Sequence, residues 1–224
     1  AAKIRLNPGN VKDPNDIRRI IDCAKAHKIA IRVGVNEASI RDLKEDVPPA
    51  RRTALMLKEL KSYVRLFEKA GFDNLVLSAK SANTIRTIEV NRAIAAAFEY
   101  PMHLGLTHAG LPNDALVPSS VAIGTLLAEG IGDTIRVSIA GDPVEEIRIG
   151  REILRSLGLE QTQGPQLVVC PTCGRCRIDV VALAKKVKKL LANVDKPLHV
   201  AVMGCVVNGP GEAADADIAV CAAE

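Results

Sequence analysis

The sequence predicts an α/β fold: parallel strands covered by helices over residues 1–160, then a small α+β domain over residues 161–224. Three observations predict it. Short β-branched runs alternate five times with helical segments, an alternation that packs strands in parallel. Prolines stand at or near several expected helix starts, and Gly71, Gly130 and Gly158 stand where C-caps belong. A polar segment with Gly and Pro, "GLEQTQGPQ", divides the two regions.

The first run, "KIRLNPG", precedes a predicted helix over residues 14–26. "IAIRVGVN" precedes one over 48–70, and "NLVLSAK" one over 83–99. "MHLGLTHAG" leads to a helix over 118–129, and "DTIRVSIAG" to one over 143–157. The second region reads as a strand "QLVVC", a helix over 180–191, a strand "PLHVAVMG", a Gly-Pro-Gly turn and a last strand in "ADIAVCAAE". A domain this small often needs a metal or a partner for stability.

Five βα units fall short of the eight, in about 250 residues, that close a barrel. An open doubly wound sheet is the alternative, but five units would leave exposed sheet edges. The chain begins at a strand without an initiator Met, so the expectation is a partial TIM (β/α)8 barrel with three units preceding the first strand.

Composition narrows the function. The 224 residues are 48% hydrophobic but only 2% aromatic, so the core is aliphatic. A net charge of +4 arises from 30 basic and 26 acidic residues that are interspersed. Nucleic-acid binders usually show a basic face with stacking aromatics, so no nucleic-acid partner is expected. No apolar run reaches the roughly 18 residues of a membrane span, and the first residues, "AAKIRLNPGN", contain no secretory h-region. The expectation is a cytoplasmic protein, where six cysteines read as ligands, redox groups or core residues before disulfides.

Strand side chains alternate between faces. In the apolar runs, Arg5 and Asn7 share a face, as do Arg32, Gly34 and Asn36, then Ser78 and Lys80, then Arg136 and Ser138. All lie toward the C-terminal ends of their strands, where a parallel barrel builds its active site. One such cation would be a salt bridge or a snorkelling stem. Four of one parity on four strands, with no carboxylate expected at the strand ends, point to a balancing anion. Guanidinium forks suit phosphate oxygens, so the pocket fits a diphosphate.

"CPTCGRC" supplies Cys170, Cys173 and Cys176, and Cys205 follows a further helix and strand. Zinc usually takes a closed set of four Cys or His ligands with a second close pair, which is missing around Cys205. A C-x-x-C disulfide leaves Cys205 unexplained. An iron–sulfur cluster accepts scattered thiolates, with Glu212 of "NGPGE" as a candidate weaker ligand. Cys23, on a helix, and Cys221, in a terminal strand, read as core cysteines.

These motifs together, "CPTCGR", "VAVMGCVVNGPGEA", "KIRLNPGN", "IRVGVN", "HLGLT" and "GIGDTIRVS" with "DPVEEI", resemble the 4-hydroxy-3-methylbut-2-enyl diphosphate synthase family across essentially the whole chain. The resemblance implies a TIM barrel, begun about three units earlier, followed by a [4Fe-4S] domain, with the last turn and tail cut short here. It implies reductive ring opening and dehydroxylation of 2-C-methyl-D-erythritol 2,4-cyclodiphosphate in the methylerythritol phosphate route to isoprenoids. The cluster ligands match Cys170, Cys173, Cys205 and Glu212. A carboxylate holds iron less tightly than a thiolate and can yield its place to substrate. The substrate-binding residues match Arg5, Arg32, Asn36, Lys80, Arg136 and Ser138.

The family usually has Thr where this chain has Cys176, and an acidic residue where it has His108. His108 becomes the candidate proton donor to the departing hydroxyl, with Glu212 beside it as a catalytic residue. The resemblance also implies a flavodoxin or ferredoxin electron donor and a homodimer in which one subunit's cluster domain covers the partner's barrel. The basic run "AKKVKKLL" fits an acidic donor, although a solvated helix face is the preferred reading. The competing readings are a non-catalytic iron–sulfur electron-transfer protein, which would not need the cation pocket, and a zinc-stabilised phosphate-binding barrel.

Overall fold

A computed structural model describes residues 1–11, 13–40, 47–107, 110–161, 164–176 and 178–221. The chain divides into two compact units, Ala1–Leu159 and Glu160–Glu224.

The first unit alternates β1 (Lys3–Leu6), α1 (Pro14–Ala26), β2 (Ala30–Asn36), α2 (Pro49–Lys69), β3 (Leu75–Lys80), α3 (Thr84–Ala95), β4 (His103–Leu104), α4 (Pro112–Ala128), β5 (Thr134–Ile135) and α5 (Pro143–Ser156). β1, β2 and β3 form one parallel sheet in that order, and β4 pairs with β5 in parallel. A parallel bridge between Leu77 and Met102 joins the two sheets. The strands thus follow chain order, and among the described residues β1 and β5 each have one strand neighbour.

Local chemistry places the helices. Asp13 and Asp142 cap α1 and α5 through Asn15 N (2.8 Å) and Val144 N (2.9 Å), each with proline in the first turn. Asn83 caps α3 through Arg86 N at 2.8 Å. α2 packs on α3, α3 on α4 and α4 on α5. The largest core cluster runs from Ile31, Val33 and Val35 through Leu77 and Ala79 to Met56, Leu60, Val64 and Phe67.

Four expectations need correction. The fourth helix begins at Pro112 rather than near Pro118, which lies inside it; "LPND" already offers a first-turn proline and Asp114 for the N-terminal dipole. Among the described residues, the runs at 102–110 and 133–141 form strands of two residues each, and β5 has a strand neighbour on one side alone. Arg136 and Ser138 therefore follow β5 rather than lie within it. Cys23 is exposed: α1 turns Ile17, Ile21 and Ala24 to the core, and Cys23 falls on the other side.

The second unit is a parallel sheet in the order β6 (Gln166–Val169), β7 (His199–Met203), β8 (Ile218–Cys221). α6 (Val180–Leu191) connects β6 to β7 and packs against both. The "GPGE" turn is one turn of helix, α7 (Gly209–Glu212), closed by Glu212 N on Asn208 O at 2.9 Å. Cys221 is half-buried against Ala201, Met203 and Ala213. No helix among the described residues is long and apolar enough to cross a membrane.

Two glycines give opposite expectations. A Cβ on Gly105 would overlap the Arg136 carbonyl oxygen and stand 2.9 Å from Lys80 Nζ. A Cβ on Gly124, inside α4, would meet nothing within 4 Å. Gly105→Ala should cost about 1–3 kcal/mol by overpacking. Gly124→Ala should add about 0.5–1 kcal/mol through helix propensity. Urea denaturation of both variants checks this, and an unchanged midpoint for Gly105→Ala rules out the close approach.

Candidate functional site

β1, β2, β3 and the segment after β5 bring Arg5, Arg32, Asn36, Lys80, Arg136 and Ser138 around one cavity of about 190 Å3. Asn36 and Lys80 end their strands, but Arg32, expected toward the C-terminal end, is the third of the seven residues Ala30–Asn36, because β2 starts at Ala30. Parallel register explains the gathering: Arg5 stands level with Arg32, and Asn36 with Lys80. A Cβ on Gly34 would stand 3.8 Å from Arg5 Nε, an ordinary contact. Size does not single the cavity out. A larger groove between α1 and α2, about 630 Å3, carries charges of mixed sign: Arg18, Asp22, Arg65 and Lys69.

Crowding marks the electrostatics. Burial first, then Arg32, Arg136 and Arg5, lower the Lys80 pKa from 10.5 to about 8. Arg32 is lowered by burial and by Arg5 and Arg136. The expectation that no carboxylate serves the strand ends fails at Arg136. Glu146, in the first turn of α5, accepts from Arg136 Nε (3.2 Å) and Nη2 (3.3 Å) and from Ile139 N (3.2 Å). Burial would raise that carboxyl, but the Arg136 and Ile139 hydrogen bonds outweigh it and hold the pKa below the usual range.

An adjoining cavity of about 340 Å3 shares Asn36, Lys80 and Thr107 with the first. Its wall holds Glu37, paired with Arg86 Nη1 (2.7 Å) and Arg52 Nη1 (3.1 Å) and accepting from Ser81 Oγ. Glu37 follows Asn36, and Ser81 follows Lys80, so this network ties together the ends of β2 and β3. Thr107 Oγ1 is buried without a hydrogen-bond partner among the described residues. A strand-by-strand reading missed these groups. The "DPVEEI" segment quoted above was the available signal for Glu146: a capped helix start aimed at the strand end before it.

In the second unit, Cys170 directly follows β6 and donates its N–H to Val202 O at 2.9 Å. Cys205 lies just beyond β7, at the same end of the parallel sheet. Cys176 N closes a turn on Cys173 O at 2.9 Å. Thr172 sits at φ 64°, a left-handed conformation that costs an L-residue about 1–2 kcal/mol. The backbone N–H groups of Asn208, Val207 and Gly209 lower the Cys205 pKa and favour its thiolate. Arg175 Nη1 donates to Asn208 Oδ1 at 3.2 Å. None of the six cysteines forms a disulfide. Among the described residues, no group of three His, Cys, Asp or Glu side chains is gathered closely enough to hold a metal ion. The donor types nonetheless suit an iron–sulfur cluster: three thiols on loops at one sheet end, that of Cys205 with a lowered pKa, and Glu212 exposed on α7.

The six residues expected around an anion therefore line one cavity. Of the four expected cluster ligands, the three cysteines lie on loops of one unit and Glu212 ends α7 of the same unit. His108 lies outside the described residues.

Comparison with known proteins places the chain. Residues 1–151 match the family model described as the GcpE TIM-barrel domain, and residues 166–224 match the GcpE protein C-terminal domain. The chain is 48% identical over 221 residues to a 4-hydroxy-3-methylbut-2-en-1-yl diphosphate synthase (flavodoxin) of Caldanaerobacter subterraneus subsp. tengcongensis, covering 98% of this chain and 62% of that protein. A protein of the same name from Desulfotalea psychrophila is 47% identical over 227 residues, covering 100% of this chain and 62% of its own length. A third, from Clostridium tetani, is 46% identical over 218 residues, with 97% and 62% covered. The chain thus spans about 62% of the length of these curated relatives.

The lowered Lys80 pKa gives a signed expectation. Affinity for inorganic diphosphate should fall as pH rises through about 8, as Lys80 loses its proton, and Lys80→Arg should keep its affinity at higher pH. Without ligand, the unfolded chain binds more protons than the folded one between pH 8 and 10.5, so Lys80 makes the fold more stable as pH rises through that window. Arg32→Ala should weaken diphosphate binding by roughly 1.5–3 kcal/mol. Calorimetric titration checks each, and wild-type affinity in Arg32→Ala would remove the anion site.

Proposed function

This chain belongs to the GcpE family, and from that premise we propose that it takes part in the reductive ring opening and dehydroxylation of 2-C-methyl-D-erythritol 2,4-cyclodiphosphate to 4-hydroxy-3-methylbut-2-enyl diphosphate in isoprenoid biosynthesis. The observation that carries the reading is the cavity in which Arg5, Arg32, Lys80 and Arg136 stand together. A cyclic diphosphate supplies the negative charge that these cations lack.

The first unit binds and orients. Arg5, Arg32 and Lys80 hold phosphate oxygens, the arginines through paired N–H groups. Asn36 and Ser138 hydrogen-bond the rest of the substrate. Glu146 grips Arg136 through Nε and Nη2, fixing the plane of its guanidinium before substrate arrives. His108 gives a proton to the departing hydroxyl, which leaves as water.

The second unit would hold a [4Fe-4S] cluster through Cys170, Cys173, Cys205 and Glu212. When bound, the cluster supplies the two reducing electrons. The name of the relatives points to flavodoxin as their source. Ferredoxin is the alternative donor, and the reading includes a homodimer as the working form. Cys176 stays outside the ligand set. Its Sγ donates to Ile178 O at 3.2 Å and packs 2.5 Å from where a Cβ on Gly204 would stand.

Anaerobic reconstitution with iron and sulfide tests the assignment. The expected outcome is a cluster, air-sensitive because one iron lacks a thiolate, that Cys205→Ser loses and Cys176→Ser retains, read by metal and sulfide analysis and the visible spectrum. Stoichiometric zinc without sulfide would favour the zinc-stabilised barrel. Loss of the cluster in Cys176→Ser with retention in Glu212→Gln would make Cys176 the fourth ligand.

A further inference from the structure

His103 is only 6% exposed and has no part in the reaction just described. It sits on β4 in register with Thr134 of β5. Its Nδ1 lies 2.9 Å from Thr134 Oγ1, and its Nε2 lies 3.5 Å from Lys80 Nζ. An ammonium has donors only. Nε2 is therefore the accepting nitrogen, and Nδ1 carries the proton and donates it to the threonine hydroxyl. Burial first, then Lys80, Arg32, Lys3 and Arg136, push the His103 pKa down to about 3, so the ring is neutral.

Two residues further on, Gly105 has no side chain, and the lysine fills the space. Lys80 Nζ and Cε lie 2.9 Å and 3.4 Å from where a Gly105 Cβ would stand. One stretch of chain thus supplies both a recess for the lysine stem and an acceptor for its head. Around that head stand Arg5 of β1, Arg32 of β2 and Arg136 beyond β5, with Glu146 of α5 as the opposing charge. A lysine crowded by three guanidinium groups would be driven to shed its proton or swing away. A neutral acceptor behind it resists both without adding charge.

We propose that His103 is a positioning residue for Lys80: it accepts the lysine ammonium, keeps it directed at the cavity, and sets the pH range over which the cavity carries its full positive charge. The proposal rests on the anion-binding reading of the cavity. His103 touches neither anion nor reacting atoms in this role. It acts through Lys80.

The test reads Lys80 directly. With 13C label at lysine Cε, the Lys80 resonance is assigned by its loss in Lys80→Arg and followed against pH in the intact chain. The midpoint should lie near 8 in the parent protein. In His103→Leu it should fall by about one pH unit, the effect of losing one acceptor to a charged group. His103→Gln, which restores an acceptor at similar reach, should bring it back. Thr134 is exposed, so Thr134→Val leaves packing nearly intact; it frees the ring to rotate and should lower the midpoint in the same direction by less. If His103→Leu does not fold, the Thr134→Val and His103→Gln midpoints decide the matter alone. Inorganic diphosphate titrations accompany each variant. If Lys80→Met and Arg32→Ala bind diphosphate as the parent does, the anion site itself fails. If both weaken binding while the Lys80 midpoint stays fixed in His103→Leu, or in Thr134→Val where His103→Leu does not fold, the anion site stands and the role of His103 is overturned.

Discussion

Like charge held in one place is the constraint on which the first unit is built. Arg5, Arg32, Lys80 and Arg136 cannot be gathered cheaply, because burial and mutual repulsion both disfavour the charged forms. Each neighbouring feature eases that cost by a different route. Glu146 pairs with Arg136. The neutral ring of His103 stands behind Lys80. Glycine at position 105 gives the Lys80 side chain room. What remains is a net positive hollow, the electrostatic image of a polyanion. A protein selected for stability alone has no reason to keep it.

Much of this was legible in the sequence because periodicity is a strong signal. The alternation of apolar and polar positions in "IRVGVN" and "LSAK" assigns faces without knowledge of the fold, and parallel register then sets Asn36 beside Lys80. Three things were not legible. Contacts between a helix and the strand end before it, such as Glu146 on Arg136, depend on how the loop turns. Two prolines compete for the start of α4, and Pro112 with Asp114 forms the better first turn. Residue type alone points Cys23 to the core, but the hydrophobic face of α1 is set by Ile17, Ile21 and Ala24, and Cys23 lies off it.

In the second unit, Cys176 gives its S–H to the carbonyl of Ile178 and packs against Gly204. Neighbouring Cys205 has a different environment, with three backbone N–H groups turned toward its sulfur.

The bridge between Leu77 and Met102 joins a three-stranded sheet to a two-stranded one, with the Ser78 hydroxyl on His103 O at 2.9 Å beside it. Arg5, Arg32 and Lys80 lie on one side of that seam and Arg136 on the other. Their repulsion acts across the seam as a wedge. An anion seated among them would act as a rivet, drawing the two sheets together at the point where the backbone stitches them least. Occupancy and cohesion of the first unit are then one quantity seen from two sides, and the molecule would be stiffest when it is full.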